Sequence, residues 1–564
     1  MSLDLTDTPR KRRRASDASG QTSFRLLTVF AVAIALICLL PGLAVLLAAL
    51  SGSVETISHL METVLPRYIG TTVALVALVG ASAIVLGVST AWLVVSSDFP
   101  GRRILEIALV LPFAFPAYVL AYAYTHILDH PGIVQTTLRD LTGWGPRDYW
   151  FPEIRSLGGA TFVLALVLYP YVYLLARAAF LSQSATTYTA ARALGRTPFG
   201  AFARVSLPMA RPAIASGGLL VAMETIADFG TVSYFGVQTF STGIYTSWFT
   251  MADRAAAAQL SLGLLAFALL LALLERANRS RGKHYASRKQ PPARRRLTGG
   301  ARYGATAICA FPVVFGVIIP VVALVAMAVG SEQDLLSSRY LGFVRNSVTL
   351  ACLASGLTVM AGVILGTYQR FRPGRVSLGA IQIGRLGYAV PGGVIAVGLL
   401  VPFAAFDNAL DAWMRETFDV STGLILTGSI AALTMAYMIR FLAAALGSYE
   451  GGIANVSPNM DAAARVLGTG VWGTLRRVHI PILLPSLLTG ALIVFVDVMK
   501  ELPATLIMRP FNYDTLAVQA YRLASDERLE GAAVPSLVIA AIGLLPVILL
   551  CRGLARPDKK RGAT

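Results

Sequence analysis

The acidic residues of this chain that could do chemistry stand in two matched pairs. Glu224 and Asp228 lie one helical turn apart in an apolar stretch, and Asp497 and Glu501 repeat that spacing 273 residues later. An ionised group deep in a hydrocarbon layer costs roughly 2.5–3.5 kcal/mol on insertion scales, so such groups face a pore, a partner or water. A two-fold set of oxygen donors suits a hard cation, and one reading makes the four carboxylates form or flank a cation pathway. The other reading is structural. Lys500 neutralises one acid, and Gly230 and Pro503 mark helix ends where the acids sit near the outer surface. A second constellation, His126, Asp129 and His130, sets two imidazoles at i and i+4, a spacing that could ligate a metal. It has no counterpart in the other half of the chain, which favours an interfacial cap. Tyr118, Tyr122, Tyr124, Tyr169 and Tyr171 could serve as phenolate ligands, although anchoring at a membrane interface is the commoner use. No G-x-x-x-x-G-K-[ST] phosphate loop occurs, so the chain is expected to bind no ATP, to hold no cofactor and to catalyse no chemical step itself.

These groups need a membrane scaffold to position them. With 55% hydrophobic and 14% charged residues, a chain of 564 residues has too little polar surface for a soluble globule. Its mean hydropathy of +0.66 agrees. Apolar stretches of roughly 20 residues, long enough to cross a bilayer, fall near 25–50, 70–95, 104–128, 159–181, 210–229, 259–275, 305–329, 346–369, 384–406, 421–446, 482–500 and 533–551. Six precede a basic linker and six follow it. The net charge of +18 follows the alternating loops and does not mark a nucleic-acid binder. If the N-terminus is cytoplasmic, 36 of the 48 Lys and Arg lie on that side, which orients the chain with both termini inside a bacterial inner membrane. The densest run, Arg276 to Arg302, reads as a topology signal and solvated linker, with membrane lipid of anionic type as a secondary contact. The Arg10–Arg14 cluster precedes an apolar run from Phe24 to Leu50, far longer than the roughly 7–15 residues of a signal-peptide core, so this run is an uncleaved first span. The four cysteines sit within or at the ends of apolar spans and imply neither a disulfide framework nor a zinc site.

A polar segment between spans occurs twice. Residues 189–208 read T-A-A-R-A-L-G-R-T-P-F-G-A-F-A-R-V-S-L-P, and residues 462–481 read A-A-A-R-V-L-G-T-G-V-W-G-T-L-R-R-V-H-I-P. Ala190, Ala191, Leu194, Gly195 and Pro208 recur as Ala463, Ala464, Leu467, Gly468 and Pro481, a period of 273 residues. The duplication extends further. Thr72, Gly87, Pro116 and Val119 match Ser347, Gly362, Pro391 and Val394 at 275, and Asp253 matches Asp526 at 273. Six spans per copy is an even number, so both halves enter from the same side, related by an axis along the membrane normal. The expected fold is all-α: a polytopic membrane protein of about twelve transmembrane helices in two parallel six-helix repeats. Its expected layout is a basic tail (1–24), a first repeat (25–275), a basic linker (276–304), a second repeat (305–552) and a tail (553–564). In each polar segment alanines favour a first helix, Gly195 or Gly468 ends it in a left-handed conformation, and Thr197-Pro198 or Thr469/Gly470 starts a second. The product is a short cytoplasmic helical hairpin, whose small residues admit close approach by another protein.

This pattern resembles the EAA loop, E-A-A-x-x-x-G, nine residues, then I-x-L-P, of ABC-transporter permeases of the binding-protein-dependent import type. The glycine and proline spacing is intact. The glutamate position holds Thr189 and Ala462, with Asp461 one place early, and Val205 and Val478 replace the usual isoleucine. The resemblance implies a type I importer permease fold, two copies of an ABC ATPase subunit carrying ATP and docked on the two hairpins, and a periplasmic substrate-binding protein. E-T-I-A-D-F-G-T-V-S-Y-F-G at 224–236, D-V-M-K-E-L-P-A-T-L-I-M-R-P-F-N at 497–512 and Y-D-T-L-A-V-Q-A-Y-R-L-A-S-D-E-R at 513–528 look like the fused permeases of ferric-iron importers. Fused thiamine and phosphonate-type permeases share the architecture. A gradient-driven carrier of the major facilitator group, which D-F-P-G-R-R at 98–103 echoes, would have no use for the repeated hairpin. A non-transport scaffold would have no use for the matched buried acids.

Overall fold

The computed structural model describes residues 9–52, 54–183, 185–281, 294–331, 333–334 and 336–554. Residues 282–293 of the basic linker, the end of the C-terminal tail and the side chains of the Arg10–Arg14 cluster lie outside the described residues. Among the described residues, 11 helices are long and apolar enough to cross a membrane, from Phe24–Ser51 to Leu529–Ile548. The twelfth expected span, near 104–128, is a broken pair: Arg102–Ala114 and Ala117–Thr142 meet at 96°. Proline chemistry accounts for the break. Pro116 has no N–H to continue a helix and disfavours helical backbone at the residue before it. Phe115 is accordingly extended (φ −93°, ψ 133°), and the turn Leu111–Ala114 before it is a 3-10 helix.

The chain forms two compact units that do not follow the two sequence repeats. One comprises residues 45–347, 391–397 and 499–564. At its centre the helix Leu157–Ser182 is buried along most of its length between Leu65–Ser96 and Leu207–Ala227. Two glycines allow this close packing: a Cβ on Gly87 would lie 2.7 Å from Val172 Cβ, and one on Gly217 would lie 2.9 Å from Val172 Cα. The tyrosines are fasteners of this packing, which corrects the interfacial-anchor reading. Tyr118, Tyr122, Tyr124 and Tyr169 are all buried. Tyr169 Oη donates to the Leu109 carbonyl at 2.7 Å, and Tyr124 Oη to the Phe315 carbonyl at 2.5 Å. Tyr171 packs edge-on against Phe113. The helix Gly300–Val329, which opens the second repeat in sequence, belongs to this unit, where Gly316 abuts the Pro112 ring. A two-residue parallel bridge, Ser97–Asp98 with Arg295–Arg296, ties the end of the linker to the loop after Leu65–Ser96.

The other unit comprises residues 1–44, 348–390 and 398–498. It takes in most of the chain's first span, where a Cβ on Gly398 would come 2.4 Å from the Pro41 carbonyl oxygen. Its packing repeats the first unit's logic: Gly362 faces Ala445 and Gly490 faces Ser448, at 3.1 and 2.7 Å from the position of an added Cβ. Of the helices packed this way, Ile430–Ile453 leads into the second polar hairpin and Ile480–Met499 leads out of it.

Candidate coupling hairpins and membrane carboxylates

Both repeated segments fold as hairpins with the same backbone. In the first, Ala185–Ala193 is followed by Gly195 at φ +82°. Thr197 then caps the next helix by accepting from Gly200 N at 3.0 Å, with Pro198 in its first turn. In the second, Pro458–Val466 is followed by Gly468 at φ +76°, and Gly470 precedes Val471–Thr474. The reversals are closed by equivalent bonds, Arg196 N to Ala191 O at 3.2 Å and Thr469 N to Ala464 O at 3.0 Å. This is the glycine-terminated helix end that only a positive φ permits at low cost. Each second arm then passes through one π-helical turn, Phe202–Ser206 or Leu475–His479, directly into a membrane span. The widened turn accommodates Pro208 and Pro481, which lack the N–H that a continuous α-helix would use.

The expected site residues divide by face. Ala190, Gly195, Ala463 and Gly468 are exposed, and Leu194 and Leu467 are 84% and 81% exposed at the tips. Ala191 and Ala464 are buried against their own domains. Pro208 is half-buried and Pro481 exposed.

What fastens each hairpin differs. Beneath the first, the Trp92 ring meets Tyr188 at 5.7 Å, Phe202 at 4.7 Å and Phe180 at 5.3 Å between centroids. Gln183 Nε2 donates to the Ser206 carbonyl at 2.8 Å. Beneath the second, Asp461 bonds His479 Nε2 at 2.7 Å and Arg370 Nε at 2.8 Å. Burial alone would raise the Asp461 carboxyl, but the bonds from His479 and Arg370 outweigh it and hold it below its ordinary 3.8. This charged cluster escaped the sequence reading. Its only signal was an aspartate one place from the glutamate position.

The membrane carboxylates occupy equivalent places. Asp228 follows the helix Leu207–Ala227 and caps the short helix Gly230–Tyr234: Oδ1 accepts from Thr231 N and Val232 N, and Oδ2 from Thr231 Oγ1, each at 3.1 Å. Glu501 caps Pro503–Met508 in the same way, with Oε1 accepting from Ala504 N at 3.0 Å and Oε2 from Thr505 N at 3.1 Å and Thr505 Oγ1 at 2.8 Å. Glu224 and Asp497 lie one turn earlier, each half-buried near the end of its span. The Lys500 ammonium sits 4.9 Å from the Phe113 ring centroid, a cation–π contact.

At the far end of the broken span, His126 and Asp129 line a pocket of about 720 Å³ with Arg155 and Glu527. Arg155 donates to Asp129 at 2.9 Å and forks onto both Glu527 oxygens at 2.7 and 2.8 Å. The fork raises the Arg155 guanidinium and holds the Glu527 carboxyl below its ordinary value. His130 contributes its backbone, N donating to Asp129 and O accepting from Arg139. Among the described residues no group of three or more His, Cys, Asp or Glu is placed to hold a metal ion.

The family described as the binding-protein-dependent transport system inner membrane component matches residues 83–281 and again 358–556, one copy per repeat. Among curated relatives, the Fe(3+)-transport system permease protein FbpB 2 of Haemophilus influenzae is 26% identical over 535 residues, covering 93% of this chain and 97% of that protein. The probable ABC transporter permease protein y4fN of Sinorhizobium fredii is 25% identical over 564 residues, covering 94% and 96%. The molybdenum transport permease ModB of Escherichia coli is 27% identical over 194 residues, covering 33% and 82%. The duplicated hairpins, the helical membrane scaffold and the two family matches agree: the chain belongs to the binding-protein-dependent transport family, as a multi-pass inner-membrane permease of the ABC importer type with its two domains fused.

Proposed function

We propose that this permease passes ferric iron from a periplasmic binding protein to the cytoplasm, with both of its termini cytoplasmic. An importer of this family draws its energy from an ATPase and its cargo from a binding protein. In this reading two ATPase copies, each carrying ATP, dock on the two hairpins. The observation that carries it is the hairpin pair: two backbones in one register, each presenting a left-handed glycine and an exposed leucine. Like surfaces call for like partners. The iron assignment is supported by the ferric relative that covers 93% of this chain, where the molybdenum relative covers 33%. Thiamine or another small solute is the alternative cargo. Glu224, Asp228, Asp497 and Glu501 are proposed to form or flank the path of the cation.

Uptake in proteoliposomes holding this chain, its ATPase and its binding protein tests the reading. ATP-dependent ferric uptake, abolished by Gly195→Glu with Gly468→Glu, is the expected result. Full uptake by Glu224→Gln with Asp497→Asn would remove the pathway role. ATP-dependent uptake of thiamine or molybdate in place of iron would change the cargo. Uptake without the ATPase would overturn the importer reading in favour of a gradient-driven carrier.

A further inference from the structure

Resting on the importer reading above, we propose that Asp461, His479 and Arg370 are positioning residues for energy coupling. They lock the second hairpin to its membrane domain as one rigid piece, so the two hairpins transmit ATPase motion unequally. Asp461 stands one residue before the motif's glutamate position. The structure turns it inward, with only 6% of its surface exposed. One carboxylate joins three elements. Asp461 itself lies in the hairpin's first arm, Pro458–Val466. His479, fully buried, ends the π turn of the second arm and stacks on Phe371 at 5.5 Å and 18°. Arg370 belongs to the last turn of the span Ser338–Phe371, and its Nη2 also donates to the Val456 carbonyl at 3.0 Å, just before the first arm.

The chemistry of this junction is directional. An ionised carboxylate only accepts, so His479 donates from Nε2–H, and its buried Nδ1 has no hydrogen-bond partner among the described residues. Arg370 supplies the charge that makes burying Asp461 tolerable. Removing either partner strands a polar group inside the domain, so the junction is held or broken with little between. At the equivalent positions of the first hairpin stand Tyr188, Ser206 and Val95, none of them charged. The half-buried Trp92 stack that stands in place of the ion pair carries no charge, and its ring contacts tolerate several relative orientations, with no charge left unpaired when they shift. A force applied at the exposed tips therefore reaches the second domain through a buried charged cluster, and the first through a ring stack and the neutral Gln183–Ser206 hydrogen bond.

Two measurements test this on the full chain. Hydrogen exchange in lipid nanodiscs, without the ATPase, should quicken by at least about tenfold across 458–481 in Asp461→Asn, whose amide keeps part of the hydrogen bonding, and stay unchanged across 185–208. In the assembled complex, ferric iron imported per ATP hydrolysed should fall by about tenfold in Asp461→Asn with hydrolysis retained, and by less than about twofold in Tyr188→Leu. Asp461→Glu, which keeps the charge, should restore most of the ratio. Should Asp461→Asn fail to fold, His479→Gln keeps an N–H donor and should couple like wild type, whereas His479→Leu should not. Equal losses at the two hairpins, equal behaviour of the two His479 variants, or looser exchange with an unchanged ratio would overturn the proposal. A wild-type complex without ATP-driven uptake would instead sink the importer reading, and the exchange result would still decide whether the lock exists.

Discussion

The first hairpin is fastened by rings and the second by charges, yet they hold one backbone. At the positions of Trp92, Tyr188 and Phe202 in the first copy, the second has Thr367, Asp461 and Leu475. Gly195 and Gly468 nevertheless take φ values of +82° and +76°, and a π turn occupies the same register in both. The difference separates two kinds of constraint. A left-handed helix end and a proline after a turn admit few residue types. The space beneath a hairpin can be filled either by stacked rings or by a satisfied polar cluster, so it accepts many. The two copies therefore agree where the backbone dictates and differ where packing has alternatives.

The largest effect that could break this comparison comes from deleting charge under one hairpin and rings under the other. Arg370→Met leaves Asp461 buried without its cation and should cost about 3–5 kcal/mol, read as lost exchange protection across 458–481. Trp92→Leu keeps an apolar filler and should cost about 0.5–1.5 kcal/mol beyond lost area, read across 185–208. Similar losses at the two sites would mean that the second cluster is no stronger a fastening than the first.

Acid gives a smaller and sharper contrast. The Asp461 carboxyl is depressed below 3.8 in the folded chain, so its stabilising contribution is complete above that ordinary value. It is lost as pH falls through the depressed value, and a protonated carboxyl still forms hydrogen bonds, so the loss is less than that of Arg370→Met. Protection of 458–481 should therefore fall only in strong acid, while 185–208, fastened by the Trp92 ring stack and the neutral Gln183–Ser206 bond, stays level. A parallel fall in both segments would trace the acid effect to the whole chain.

The hairpins were legible in the sequence because their signals are local. Thr197-Pro198, Gly195 and Gly468 state their own conformations, and each was found in place. The third span was legible only in part. Its hydropathy is continuous, but Pro116 breaks it, and a hydropathy window does not register a missing N–H. The tyrosines read as interfacial anchors because that is their common use in membranes, whereas here the hydroxyls of Tyr169 and Tyr124 find carbonyl partners on neighbouring helices. The acids read as a cation pathway or as helix ends near the surface. The capping geometry of Asp228 and Glu501 depended on the turn that follows each of them.

By itself the sequence determined that this is a duplicated helical membrane protein with two polar hairpins, because hydropathy, charge bias, caps and left-handed glycines act within one segment at a time. Only the tertiary structure decided that the opening span of each repeat packs in the unit built mainly from the other. It alone decided that Asp461 finds Arg370 across 91 residues and points inward. The physical reason is that a buried charge is tolerated only beside a partner, and which partner comes within reach is set by how distant helices pack.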